Sequence, residues 1–321
     1  MGDLRPLRIV FLGSGAFAIP CFEALLDAGH DVAAVVTQPD RAKGRGKVLT
    51  PPPLKPVAEA RNVAVVQPRR VRDPEVQESL RRLAPQLQVI VAFGQILPRS
   101  VIDIAPLGTV NVHGSLLPKL RGAAPIQWAI ANGEHETGVS TMLIDEGLDT
   151  GPVLLRRATP IGPDETAADL EPRLARLGAD VLLETVRGLG EGTLTATAQD
   201  HGRATLAPLL SKEDGRLDWA LTAAELHCRI RGFHPWPGTF SPLDGRTVKI
   251  LGARPIAPVS TPKEGAGAPG TLVEVTSEGL VIACGGGSRL LVTEVQPESR
   301  RPMPATAFAA GARLKAGCAF G

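Results

Sequence analysis

The chain has 321 residues, 43% of them hydrophobic and 21% charged, with a formal net charge of +2. That length exceeds what one compact core usually serves, so two domains are expected, and the composition is that of a globular protein with a sizeable core. The charge is too small to announce a nucleic-acid binder.

Tyr is absent, and Ala, Pro, Arg and Gly are abundant, which reads as compositional bias and not as a functional signal. The balance is slightly uneven: from Ala207 onward there are 13 Lys+Arg against 10 Asp+Glu (+3), leaving 22 against 23 (−1) before it. This hints at a polyanionic partner, and a solvated surface explains it as well. Cys21, Cys228, Cys284 and Cys318 are scattered, without a Cys-x-x-Cys pair or a His at ligand spacing, so neither a metal site nor a disulfide framework is expected. No signal-like segment precedes the first strand pattern, and no run reaches the roughly 18 apolar residues that span a membrane. A cytoplasmic protein with reduced thiols is the expectation.

In chain order, strands and helices alternate. Leu7 to Leu12 reads as a strand, Ala18 to Ala28 as a helix, Asp31 to Thr37 as a strand, Val76 to Leu83 as a helix and Val89 to Phe93 as a buried strand. A strand from Gly108 to His113, a helix from Ala124 to Asn132, and strands Val139 to Ile144 and Val153 to Arg157 follow. This order predicts an α/β fold with a doubly wound, mostly parallel sheet. Leu170, Leu174, Leu177, Val181 and Leu182 predict a long helix over Glu165 to Arg187. Gly188 to Pro208 lacks periodicity and reads as a linker or extended crossover. Beyond it, a helix over Thr222 to Arg231 and short strands near Thr247 to Ala253, Thr271 to Val275, Gly279 to Cys284 and Leu290 to Val295 predict a small β-barrel or sandwich.

Two loops of the first part carry chemistry: Asn111-Val-His-Gly-Ser-Leu-Leu-Pro118 and Asp145-Glu-Gly-Leu-Asp-Thr-Gly151. A period of two places Asn111 and His113 on one face of their strand. A carboxylate from the second loop reaches the imidazole if the two strands are neighbours. Asn, His and Asp suit acyl transfer: donors for an oxyanion, a proton carrier and a group to orient it. Each also has a structural reading, since His and Asn commonly end strands, and Asp145 and Asp149 both lie near Gly, where turns form. The joint pattern in Gly-rich loops of an α/β chain favours a site.

Gly13-Ser-Gly-Ala-Phe-Ala18 fits a dinucleotide fingerprint, but Thr37-Gln stands where a ribose-binding acid is needed, and any tight strand-to-helix turn selects small residues. Asp40-Arg-Ala-Lys-Gly-Arg-Gly-Lys47 interleaves four cations with Gly, as a mobile loop able to follow a phosphate backbone would, or as a solvated loop.

Asn111 to Pro118, continuing through Lys-Leu-Arg-Gly-Ala-Ala-Pro-Ile-Gln127, together with Glu136-Thr-Gly-Val139, Asp145 to Gly151, Gln38-Pro-Asp-Arg41 and Gly44-Arg-Gly-Lys47, closely resembles the bacterial methionyl-tRNA formyltransferase family. Leu210-Ser-Lys-Glu-Asp214, Asp218-Trp219 and His234-Pro-Trp-Pro-Gly238 resemble that family's second domain, so the likeness covers nearly the whole chain. It implies transfer of the formyl group of 10-formyltetrahydrofolate to the α-amino group of initiator methionyl-tRNA, without a metal, by a cytoplasmic monomer. It implies Asn111, His113 and Asp149 as the catalytic trio, and Ser115, Leu116, Leu117, Pro118, Gln95, Ile96, Leu97 and the backbone from Asp145 to Asp149 around the folate. It implies Arg45, flanked by Lys43 and Lys47, at the acceptor end of the tRNA. The expected organisation is a catalytic domain over 1–189, a linker over 190–207 and an OB-like tRNA-binding barrel over 208–321. The chain departs from the family at Ser14-Gly15, where Thr-Pro is common, and its tail carries only Arg313 and Lys315 as basic residues. The core motif is shared with glycinamide ribonucleotide and nucleotide-sugar formyltransferases; the basic loop and second domain favour the tRNA enzyme. A nicotinamide-dependent oxidoreductase using Gly13, Gly15 and Ala18, and an RNA-binding protein with a vestigial enzyme domain, are the alternatives of other classes.

Overall fold

The structure, a computed structural model, describes residues 6–43, 46, 48–256 and 267–321. The first unit takes in the residues up to Pro125, Glu136–Pro160 and Glu171–Pro208. Its central strands β1 (Arg8–Gly13), β2 (Asp31–Val36) and β6 (Leu87–Val91) are apolar runs buried almost throughout, as strands covered on both faces must be. Between them lie α1 (Ile19–Asp27), β3 (Arg41–Lys43), β4 (Val48–Thr50), α2 (Leu54–Ala60), β5 (Val65–Val66) and α3 (Pro74–Arg82). After β6 come α4 (Arg99–Ile102), β7 (Thr109–His113), α5 (Pro125–Ala131), β8 (Glu136–Leu143), β9 (Val153–Pro160) and α6 (Ala167–Glu191). The seven-stranded sheet has the order β5-β2-β1-β6-β7-β8-β9. It is parallel from β5 through β7 and antiparallel in the β7–β8 and β8–β9 pairs. The direction of winding reverses at β1 and β6, so loops following β1, β6 and β7 border the crevice where ligands of such sheets bind.

Two local features depart from the expectation. Part of the basic stretch, expected as a loop, is a hairpin in which Arg41, Ala42 and Lys43 pair with Thr50, Leu49 and Val48. Helix α2 begins directly after Pro51–Pro53, a run that reads as part of the same loop, with Pro53 at its N-cap and Pro56 in its first turn, where Pro forfeits only an N–H that has no partner within the helix.

The second unit comprises Ile126–His135, Ile161–Leu170 and the residues from Leu209 onward. Helix α7 (Ala223–Gly232) opens on a capping box in which Thr222 Oγ1 accepts from the Glu225 N–H and Glu225 Oε2 accepts from the Thr222 N–H. At its other end a Cβ on Gly232 would stand 2.7 Å from both Ala131 N and Gln127 O, so only glycine lets α7 lie this close to α5. Strands β10 (Thr239–Leu243), β11 (Arg246–Ile256), β12 (Leu272–Val275), β13 (Leu280–Ala283), β14 (Arg289–Pro297) and β15 (Met303–Pro304) precede α8 (Ala305–Ala312). They form an antiparallel sheet of order β10-β11-β14-β13-β12, with β15 on β14. Among the described residues the named strands pair as an open path with β10 and β12 at its ends, and Leu243 and Thr271 make single bridges to Phe320 and Ala319. Trp219, Leu226, Ile250, Ile282, Val292 and Phe320 share its core, where Trp219 Nε1 donates to Ser241 Oγ at 2.9 Å. No described helix is long and apolar enough to cross a membrane.

Candidate active site

Strand β7 is held on both sides, parallel to β6 with Asn111 opposite Ile90 and antiparallel to β8 with His113 opposite Ser140. The alternation expected for Asn111 and His113 is met: Val110 and Val112, at the alternate positions, are buried, and both polar side chains meet the same carboxylate. That carboxylate is Asp149, with Oδ1 3.5 Å from Asn111 Nδ2 and Oδ2 3.7 Å from His113 Nδ1. Because β8 runs antiparallel to β7, the β8–β9 loop leaves the sheet beside Thr109, whose carbonyl accepts from the Ile144 N–H at 2.8 Å. The loop then folds back along the sheet, and Asp149 takes a left-handed backbone conformation, φ 51°. The Gly122 N–H donates to Asp149 Oδ2 at 2.8 Å.

His113 is buried, and its Nε2 lies 2.9 Å from the carbonyl oxygen of Leu120. A carbonyl can only accept, so Nε2 carries the hydrogen and Nδ1 is the atom free to take or give a proton beside Asp149. The chain delivering Leu120 is itself pinned. Ser140 Oγ donates to Ser115 O at 2.7 Å and accepts from the Leu117 N–H at 3.0 Å, and Ser115 Oγ donates to Lys119 O at 2.6 Å.

Of the residues expected around a folate, Ser115 and Leu117 are buried supports of this loop, while Leu116 and Pro118 are partly open. The Gln95 side chain bonds the Val71 N–H and Pro68 O, and Leu97 packs on the core beneath α3 and α4. Ile96 is 94% exposed and Leu148 64%, leaving two large apolar side chains uncovered in the loops after β6 and β8. Asp145 turns its carboxylate inward, accepting from the Gly147 N–H at 3.0 Å and Thr150 Oγ1 at 2.6 Å, so it shapes its loop and offers backbone.

The fingerprint-like turn is filled by its own hydroxyl. Ser14 Oγ accepts from the Gln38 N–H at 3.0 Å and lies within hydrogen-bonding distance of Thr37 Oγ1 and Phe93 O, tying together the ends of β1, β2 and β6. A Cβ on Gly13 would come within 3.0 Å of Val91 O, so strand packing explains that glycine. At the foot of the basic hairpin, hydrogen bonds from Gln67 and Lys55 hold the Asp40 carboxyl below the usual carboxylate range. Arg45 and Lys47, and the Lys43 side chain, lie outside the described residues. Burial, aided by Asp180, pushes the Cys21 thiol up to about 12, which leaves it un-ionised and a packing group.

Sequence reading missed Arg121, Gln199 and Thr205. Both Arg121 and Gln199 are buried and bonded to each other, at 2.8 Å from Arg121 Nη2 and 3.2 Å from Nε to Gln199 Oε1. Arg121 stands inside the motif that carries the resemblance, but the stretch around Gln199 has no periodicity to single it out.

A seven-stranded α/β sheet that brings Asn111, His113 and Asp149 to one point holds the donors and the proton carrier that transfer of an acyl group requires. The formyl transferase family model matches residues 7–186 and the formyl transferase C-terminal domain model matches 209–313. The chain belongs to this family. Among its relatives are methionyl-tRNA formyltransferases of Anaeromyxobacter dehalogenans, 53% identical over 96% of this chain and 98% of theirs, and of Geobacter sulfurreducens, 48% identical over 98% and 97%. The fold is also that of the N-formyltransferase from Helicobacter canadensis in complex with folinic acid and dTDP-3-aminofucose, with a TM-score of 0.66 and 19% identity over 91% of this chain and 100% of that one.

Proposed function

We infer that this chain is a methionyl-tRNA formyltransferase, moving the formyl group of 10-formyltetrahydrofolate to the free α-amino group of initiator methionyl-tRNA and so supporting translation initiation. The observation that carries this reading is the meeting of Asn111, His113 and Asp149 at one carboxylate, in a chain about half identical to methionyl-tRNA formyltransferases from end to end.

The neutral amine attacks the formyl carbon and a tetrahedral oxyanion forms. The Asn111 amide donates to that oxygen, a contact stronger in the transition state than in the ground state. The C–N10 bond then breaks, so one proton must pass from the attacking nitrogen to N10. His113 Nδ1 and Asp149 stand where they can carry it, Asp149 stabilising the imidazolium while it lasts. In this reading each step is carried by these side chains, without a metal.

The co-substrate's fused ring is planar and largely apolar on its faces, and the exposed Ile96 and Leu148 suit covering it, with Leu116, Pro118 and the Asp145 to Asp149 backbone alongside. Gln95, Leu97, Ser115 and Leu117 then border it through backbone or as supports. Lys43, Arg45 and Lys47 of the basic stretch meet the acceptor end of the tRNA in this reading. The second unit is OB-like in this reading: β11 pairs β10 through its first half and β14 along its length, with register shifts at Gly252 of the kind that turn a barrel corner. The +3 charge of the residues from Ala207 onward suits a phosphate backbone. The working organisation is a catalytic domain over 1–189, a connection over 190–207 and a tRNA-binding domain over 208–321, in a cytoplasmic monomer.

Mass spectrometry of products tests this. The protein is incubated with 10-formyltetrahydrofolate and, separately, methionyl-tRNA, glycinamide ribonucleotide or an amino-sugar nucleotide. Formylation of methionyl-tRNA alone is expected, and a product only with one of the others overturns the assignment.

A further inference from the structure

Residues 197–207 run as a strap across both loops of the site. Thr197 pairs with Val153 through two backbone hydrogen bonds of 2.8 Å, which fixes the strap to the start of β9. Two residues on, Gln199 Nε2 donates to Asp149 O at 2.8 Å and to Gly151 O at 2.7 Å. Its Oε1 accepts from Arg121 Nη2 and Nε, and Arg121 Nη2 also donates to His201 Nδ1 at 3.2 Å. Farther along, Thr205 Oγ1 accepts from the Leu120 N–H at 2.9 Å, Thr205 O accepts from the Arg121 N–H at 2.9 Å, and the Ala207 N–H donates to Arg121 O at 2.7 Å.

The chemistry of this joint is restrictive. Loop carbonyls only accept and a guanidinium only donates, so the residue between them must donate on one side and accept on the other. A primary amide does both, and here both its N–H groups and both lone pairs of its oxygen are used. The contacts converge on the two segments that set the site: the Asp149 backbone, and the Leu120–Gly122 backbone that bonds His113 Nε2 and Asp149 Oδ2.

We propose that Gln199, with Arg121 as its partner, is a positioning residue that sets the Asp149 carboxylate against His113, so that a stretch connecting two domains in sequence is part of the catalytic apparatus. This rests on the reading of Asn111, His113 and Asp149 as the catalytic groups. A shift of about 1 Å in a reacting group costs on the order of a hundredfold in rate.

The test is a cycle of Gln199→Glu, Asp149→Ala and the double variant, read as kcat and KM for 10-formyltetrahydrofolate and methionyl-tRNA, with kcat followed against pH and folding followed by thermal melting. Gln199→Glu keeps the acceptor for Arg121 and sets a second acceptor against the two loop carbonyls. Expected is a 10- to 100-fold fall in kcat, both KM values within about threefold, an altered pH profile of kcat, and a double variant no slower than Asp149→Ala alone, because Gln199 acts through Asp149. Losses that multiply in the double variant, or a loss confined to KM or to melting temperature, overturn the proposal. A near-normal rate for Asp149→Ala would instead sink the catalytic reading beneath it. Thr205→Val, at an exposed position and close in shape, removes only the acceptor for the Leu120 N–H; expected is a 3- to 10-fold fall in kcat with unchanged melting, and wild-type kcat together with an unfolded Gln199→Glu protein overturns the proposal.

Discussion

Strand β7 and the β8–β9 loop bring their side chains to one point by different means. Asn111 and His113 sit on a strand with ladder partners on both sides, so any displacement breaks a cooperative set of backbone hydrogen bonds. Asp149 sits in a left-handed residue of a loop, held from outside by the Gly122 N–H and the Gln199 amide. The strand supplies a fixed reference, and the loop supplies the group whose placement depends on a few separable contacts. Substitutions on the strand scaffold should therefore cost stability first, and substitutions in the loop should cost rate first.

The largest effect expected is at the trio itself. His113→Ala and Asp149→Ala should each lower turnover by at least about a hundredfold in folded protein, and a well-folded Asp149→Ala enzyme near the normal rate would dissolve the contrast. Next comes Gly151→Ala, where a Cβ would stand 1.9 Å from Leu143 O and force the loop backbone to move. Steady-state assays should show kcat falling on the order of tenfold or more through displacement of Asp149. Val110→Ala is the counterpart on the strand: Val110 is fully buried, and its truncation should lower stability by about 2 kcal/mol in urea titrations, with kcat within about threefold. If Val110→Ala lost as much rate as Gly151→Ala, the strand would be no firmer a platform than the loop.

The smallest effect lies far from the site. His30 Nδ1 accepts from the Leu7 N–H at 3.1 Å at the entry to β1, and burial lowers its pKa below 6.5. The folded protein thus binds fewer protons at His30 than the unfolded chain does. Its stabilising contribution is complete above about pH 6.5 and is lost as pH falls through the lowered folded value. His30→Gln should flatten the acid-side decline of the urea midpoint, and an unchanged slope would remove His30 as a contributor.

Much of the fold was legible because each signal was local. Apolar runs bounded by Gly and Pro marked β1, β2 and β6, a heptad-like spacing of Leu marked α6, and alternation placed Asn111 and His113 on one face. The helix after Pro51–Pro53 and the hairpin at Arg41–Thr50 were not legible, since Pro and Gly-rich basic stretches are also loop formers and their neighbours decide between the outcomes. The antiparallel direction of β8 was equally silent: a buried strand reads the same in either direction.

The amino-acid sequence alone determined the two-part α/β organisation, the family likeness and which polar side chains could share a site, because periodicity and motif are properties of neighbouring residues. Only the tertiary structure decided that β8 reverses and sends its loop back over β7, that Leu120 O assigns the hydrogen on His113, and that Gln199 and Arg121 clasp the Asp149 loop. Gln199 lies 50 positions from Asp149 and 78 from Arg121. Hydrogen bonds across such separations exist only once the chain has paid the entropy of closing those loops, and no local pattern records where they will form.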